Sequence, residues 1–176
     1  TVEIQNPDVS RLLLQTLSSD NENNSDLTKR VKFATWEHHR VGGNLKEEVE
    51  ASNFGRYNSS IYNHQRQPIQ DVAGQYHQYV FNDGYDLSYF NRLKPERKYY
   101  GLFLTCFVAY NNRDESISTF LDMWYDQILT YTTQDQVSFP FVVQKSGILP
   151  LTFPDTLPCN LKNGCSDVSL DSERRV

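Results

Sequence analysis

Residues 131–139, Tyr131-Thr-Thr-Gln-Asp-Gln-Val-Ser-Phe139, follow the clearest amphipathic pattern in the chain and open a second helical one. Asp135 therefore falls at a predicted helix start, where backbone N–H groups lack helical partners and the dipole favours negative charge. Thr133 and Gln136 stand three apart, the spacing of a capping box. Two readings follow. One is a helix cap leading into core residues Val137, Phe139 and Phe141; the other is a functional carboxylate. The local pattern by itself favours the cap.

Working outward, Glu115–Thr130 places Ile117, Phe120, Leu121, Trp124 and Ile128 on one stripe, with Asp114 as N-cap and Trp124 in the core. Before it, the apolar run Tyr99–Tyr110 reads as a buried strand, and Gly101 marks a bulge or a close backbone approach. After it, Val137–Lys145 continues as a helix kinked by Pro140, with a strand as the second reading; Gly147 stops it, and Ile148–Phe153 forms a last short strand.

Further upstream, Ile69–Asp83 reads as a helix with Ile69, Val72, Ala73, Tyr76, Tyr79 and Val80 on its apolar stripe, Gln75 and His77 off it. Asn44–Asn53 is a short helix capped by Asn44 with Glu47 at the third position; Glu48 and Glu50 point to different faces, so at most one lines a site. Residues 54–68 form a long polar and aromatic connection. Val31–Trp36 is a strand that exits into Glu37, His38, His39 and Arg40, either a solvated end or a functional one. Adjacent strand residues face opposite ways, so His38 and His39 do not ligate one metal together. Val9–Leu17 fits a short helix, and residues 85–98 read as irregular and charged.

Strands alternating with helices give an α/β class, with a mixed sheet flanked by helices; α+β stays open. One domain over 1–154 and a polar tail over 155–176 account for the 176 residues. The formal net charge of −5 argues against a nucleic-acid partner, and no apolar run reaches the length of a membrane span. Eleven Tyr and ten Phe favour clefts lined by rings with polar tips, which suit sugars. Cys106 reads as a buried hydrophobe, while Cys159 and Cys165 flank a turn that a disulfide would close in an oxidising compartment. Asn23 and Asn58 begin N-x-S sequons that matter only in a secreted protein; localisation is otherwise undecided. No metal-binding cysteine spacing and no common nucleotide-binding motif occurs.

The order of motifs resembles a known family. His38-x-Arg40 follows a strand, then Glu48-x-Glu50-Ala51, Gln75 on a helix ending Asn-Asp-Gly84, and Gly101-Leu102 opening a strand. Phe-Leu-Asp-Met-Trp124-Tyr and Asp135-Gln136-Val-Ser138-Phe139 complete the series. Over residues 7–146 this resembles the C-terminal half of a glycosyltransferase-like family with plant mucilage-related, bacterial and viral members and a GT-A type fold. The resemblance implies sugar transfer from a nucleotide-sugar to a glycan or other hydroxyl acceptor, with divalent Mn²⁺ or Mg²⁺. It implies Asp135 and Gln136 at the reaction centre, His38 and Arg40 at the diphosphate, and Glu48, Glu50, Gln75 and Gly101 lining the substrate. The D-x-D motif that holds the metal in such folds does not occur in this chain, so no metal ligand is assigned. The expectation is a piece lacking its nucleotide-binding half, or else a non-catalytic carbohydrate-binding or structural relative.

Overall fold

The structure, a computed structural model, describes residues 32–38, 44–57, 71–97, 100–132 and 134–153. The expectations for Val9–Leu17, His39, Arg40, most of the 54–68 connection, Thr133 and the cysteine pair lie outside them. The described chain runs β1 (Phe33–Glu37), α1 (Leu45–Tyr57), α2 (Val72–His77), a π-helical turn (Gln78–Asn82), α3 (Tyr89–Leu93), β2 (Phe103–Tyr110), α4 (Glu115–Thr130), α5 (Asp135–Ser146) and β3 (Leu151–Thr152).

The class is mixed α/β. Among the described residues three strands form a sheet ordered β2-β1-β3. The β1–β2 pairing is antiparallel and the β1–β3 pairing parallel. Side chains alternate along β1: Phe33 joins the main core, while Ala34 and Trp36 join a smaller cluster with Ala109 and Phe153. Ala34 pairs with Ala109 and Trp36 with Leu104, so two steps along β1 match five along β2. That bulge is why Leu104 and Phe107, an odd number of residues apart, pack against the same cluster. Thr35 fills the gap, its buried hydroxyl lying 2.5 Å from the Leu104 carbonyl and 3.0 Å from that of Phe107. With one proton it donates to one carbonyl at a time.

The main core is aromatic and centred on Phe139 of α5. Its ring lies edge-on to Phe33, Phe103, Phe120 and Trp124, with centroids 5.8, 5.6, 5.5 and 4.8 Å away. Such edge-to-face pairs satisfy the ring quadrupoles in a way that parallel sandwiches do not. The stripe read on α4 delivers Ile117 and Phe120 fully, and Leu121 and Trp124 partly, into this core; Ile128 is half-buried. Asp114 caps α4 as expected, its carboxylate accepting from Ser116 N at 2.9 Å. Val137–Val143 is buried without interruption, and Gly147 ends α5 with φ +70°. Pro140 sits inside α5 and brings no N–H to the Gln136 carbonyl four residues back.

At the start of α5 Gln134 is the N-cap, without a side-chain capping bond, and the expected capping box rests on Thr133, outside the described residues. Three readings need correction. The helix starts at Val72 and changes to a π turn at Gln78; Gln75, three residues after Val72, is buried with it, while Ala73 is exposed. Residues 85–98 are not wholly irregular, since Tyr89–Leu93 is helical. Helix α1 continues to Tyr57, beyond the predicted end at Asn53.

Candidate functional site

The start of α1 follows directly from the sequence. Asn44 Oδ1 accepts from Glu47 N at 2.9 Å, while Asn44 Nδ2 donates to the Glu47 carboxylate at 2.8 Å. This fixes the helix phase, so Leu45, Glu48, Val49 and Ser52 face inward and Glu50 faces solvent. Glu50 pairs there with Lys46 at 3.8 Å, an exposed i,i+4 contact. Of the two acidic candidates, only Glu48 reaches the interior.

Around Glu48 the interior is polar. Relative exposure is 5% for Glu48, 2% for Gln75, 2% for Thr132 and 1% for Gln134, values ordinary for leucines and unusual for these residue types. Ser52 Oγ donates to Glu48 Oε1 at 3.0 Å, and Gln134 Nε2 donates to the same oxygen at 3.4 Å. Gln134 N donates to Thr132 Oγ1 at 3.2 Å, and Thr132 Oγ1 donates to Gln75 Oε1 at 2.6 Å. Gln75 Nε2 donates to the Tyr79 hydroxyl at 2.7 Å, which donates to Gln127 Oε1 at 3.0 Å. A continuous hydrogen-bonded path thus joins α1, the turn before α5, α2 and α4. Tyr79 stacks on Phe141 with ring centroids 3.9 Å apart, and burial pushes its phenol up.

Asp135 follows Gln134 and is the first residue of α5. It is half-buried, and its Oδ1 accepts from Gln136 N at 2.9 Å. Gln136 is half-buried beside it. The Asp135 carbonyl accepts from Ser138 Oγ at 3.1 Å, which in turn accepts from Trp124 Nε1 at 3.0 Å. The first turn of α5 is therefore held from two sides, by Trp124 of α4 and by the buried polar path.

His38 and Gly101 form a separate group at the end of the sheet. His38 is buried, not a solvated strand exit, and its backbone N donates to the Leu102 carbonyl at 2.9 Å. Gly101 has φ +135°, and a Cβ there would lie 2.9 Å from the Phe90 ring, which accounts for glycine by packing within the chain. Beside them Glu37, 8% exposed, pairs with Arg97 at 2.6 Å. Arg97 also lies 5.6 Å over the Tyr100 ring. Burial, with the Glu37 charge second, pushes the Tyr100 phenol up to about 12, and Arg97 opposes the shift.

The structure thus brings Glu48, Gln75 and the start of α5 together, places His38 with Gly101, and leaves Glu50 outside. The residues that join the first group, Ser52, Tyr79, Gln127, Thr132 and Gln134, carry little signal in the sequence. Ser52 lies four residues from Glu48 on the same face, and Gln134 stands inside the Gln-Asp-Gln triplet; those were the only hints. Among the described residues no three His, Cys, Asp or Glu side chains cluster as metal ligands do. Among the same residues no helix is long and apolar enough to cross a membrane. Compared with family models, curated proteins and solved structures, the chain gives no match.

Proposed function

We propose that this chain forms the acceptor-side part of a GT-A-like glycosyltransferase site, moving a sugar from a nucleotide-sugar to a hydroxyl acceptor. The supporting observation is the bond from Gln134, the residue before Asp135, to Glu48, 86 residues away in sequence. It joins the Glu48 motif of the family resemblance to the residue preceding the Asp135 motif, and Gln75 of a third enters through Thr132.

In this reading Asp135 receives the proton of the acceptor hydroxyl or faces the positive charge developing on the sugar ring, both of which a carboxylate at a helix start can do. Gln136 donates to sugar oxygens, and Glu48 and Gln75 shape the wall behind them. Glu50, facing solvent, has no part. His38 and Arg40 remain assigned to the diphosphate by resemblance. Mn²⁺ or Mg²⁺ needs several oxygen ligands; among the described residues no such group is present, and no step is assigned to a metal here.

Calorimetric titration of the chain with UDP- and GDP-sugars and with oligosaccharides, with and without Mn²⁺, tests the reading. Binding retained by Asp135→Asn together with lost transfer supports it. Binding without transfer by the unmutated chain favours a non-catalytic carbohydrate-binding protein. Absence of binding under every condition overturns both.

A further inference from the structure

We infer that Thr132 and Gln75 are positioning residues, which set the turn entering α5 and so the placement of Gln134 and Asp135. The inference deepens the proposed function and rests on it only for what the positioned groups do.

Buried amides and hydroxyls stabilise a core less than apolar side chains of similar shape, because their hydrogen bonds to water must first be given up. Yet α2 turns Gln75 inward between Val72 and Tyr79, and the turn before α5 buries Thr132 and Gln134. Apolar packing tolerates sliding, whereas a hydrogen-bonded path accepts few arrangements, so what such a path adds is definition of geometry.

Thr132 is the junction. Its Oγ1 accepts from Gln134 N, fixing the backbone one residue before Asp135, and donates to Gln75 on a helix 57 residues away. The path continues through Tyr79 to Gln127 in the last turn of α4, so the turn between α4 and α5 is held at both of its ends. The Gln134 side chain then reaches Glu48. Without the Thr132 hydroxyl, the Gln134 N–H loses this acceptor and Gln75 Oε1 this donor.

The test uses the full chain with Thr132→Val, which keeps shape and removes the hydroxyl, Thr132→Ser, which restores it, and Gln75→Leu as an independent break. Amide hydrogen exchange and saccharide affinity are read together. Thr132→Val and Gln75→Leu are expected to speed exchange at residues 134–138 by roughly tenfold, the scale of one lost buried hydrogen bond, with β2 amides unchanged. Thr132→Ser is expected to restore protection. Saccharide affinity should fall in the first two variants and recover in the third, a split that a purely structural role would not produce. Exchange unchanged in Thr132→Val, exchange raised equally across β2, loss of folding in both breaking variants, or failure of Thr132→Ser to restore protection would each overturn the inference. If the unmutated chain binds no saccharide, the proposed function fails by itself, and the exchange pattern still decides whether Thr132 and Gln75 set the turn.

Discussion

Trp124 Nε1 donates to Ser138 Oγ at 3.0 Å, and the indole ring of Trp124 stands edge-on to Phe139 at 4.8 Å. One side chain of α4 thus fixes both the height and the rotation of the first turn of α5. Ser138 passes the constraint on by donating to the Asp135 carbonyl. Ser138→Ala removes both bonds at a fully buried position and should cost about 1–2 kcal/mol. Urea unfolding should show a lower midpoint with an unchanged slope; an unchanged midpoint would show that the pair contributes nothing.

Two glycines with positive φ should respond very differently to alanine. At Gly101 the backbone region disfavours any Cβ, and Phe90 occupies the space it would need, so the cost should be about 2–3 kcal/mol. At Gly147 nothing lies within 4 Å of the added carbon, which leaves only the left-handed backbone penalty of ~1 kcal/mol. Thermal unfolding of the two variants should rank them in that order, and the reverse order would refute the packing account of Gly101.

Asp114 gives a pH-dependent contribution whose sign is fixed. Its bond from the Ser116 hydroxyl, with the Ser116 backbone N–H and Lys32 assisting, holds its carboxyl below the ordinary value of 3.8. A carboxylate with a depressed folded pKa adds stability that is complete above the unfolded value and lost as pH falls through the folded one. Asp114→Ala should cost ~1 kcal/mol at neutral pH through loss of the cap. Asp114→Asn should retain most of the cap there, yet flatten the decline in stability below about pH 4. Parallel pH titrations of stability for both variants check this.

Periodicity and capping chemistry made much of the fold legible. The Ile117, Phe120 and Trp124 stripe, the Asp114 and Asn44 caps and the Gly147 stop are each decided by neighbours within a few residues, so sequence spacing expresses them. The separation of Glu48 from Glu50 follows from the same logic. The burial of Gln75 does not follow from it, because its partner Thr132 lies 57 residues away. Gln134 carries no local signal for the same reason: its partner Glu48 is in another helix, and a polar residue in a turn looks solvated until the turn is packed. The three-step bulge in β2 was equally hidden, since it is set by pairing with β1 rather than by any local signal.

The central claim is that Glu48, Gln75, Gln134 and Asp135 serve one carbohydrate-directed site. The most direct measurement is backbone amide shift mapping of the chain during titration with UDP- and GDP-sugars and with oligosaccharides. Saturable shifts concentrated at Glu48, Gln75, Thr132, Gln134 and Asp135, with Glu50 unmoved, are the predicted result. Shifts confined to other parts of the chain, or none with any of these ligands, would contradict it.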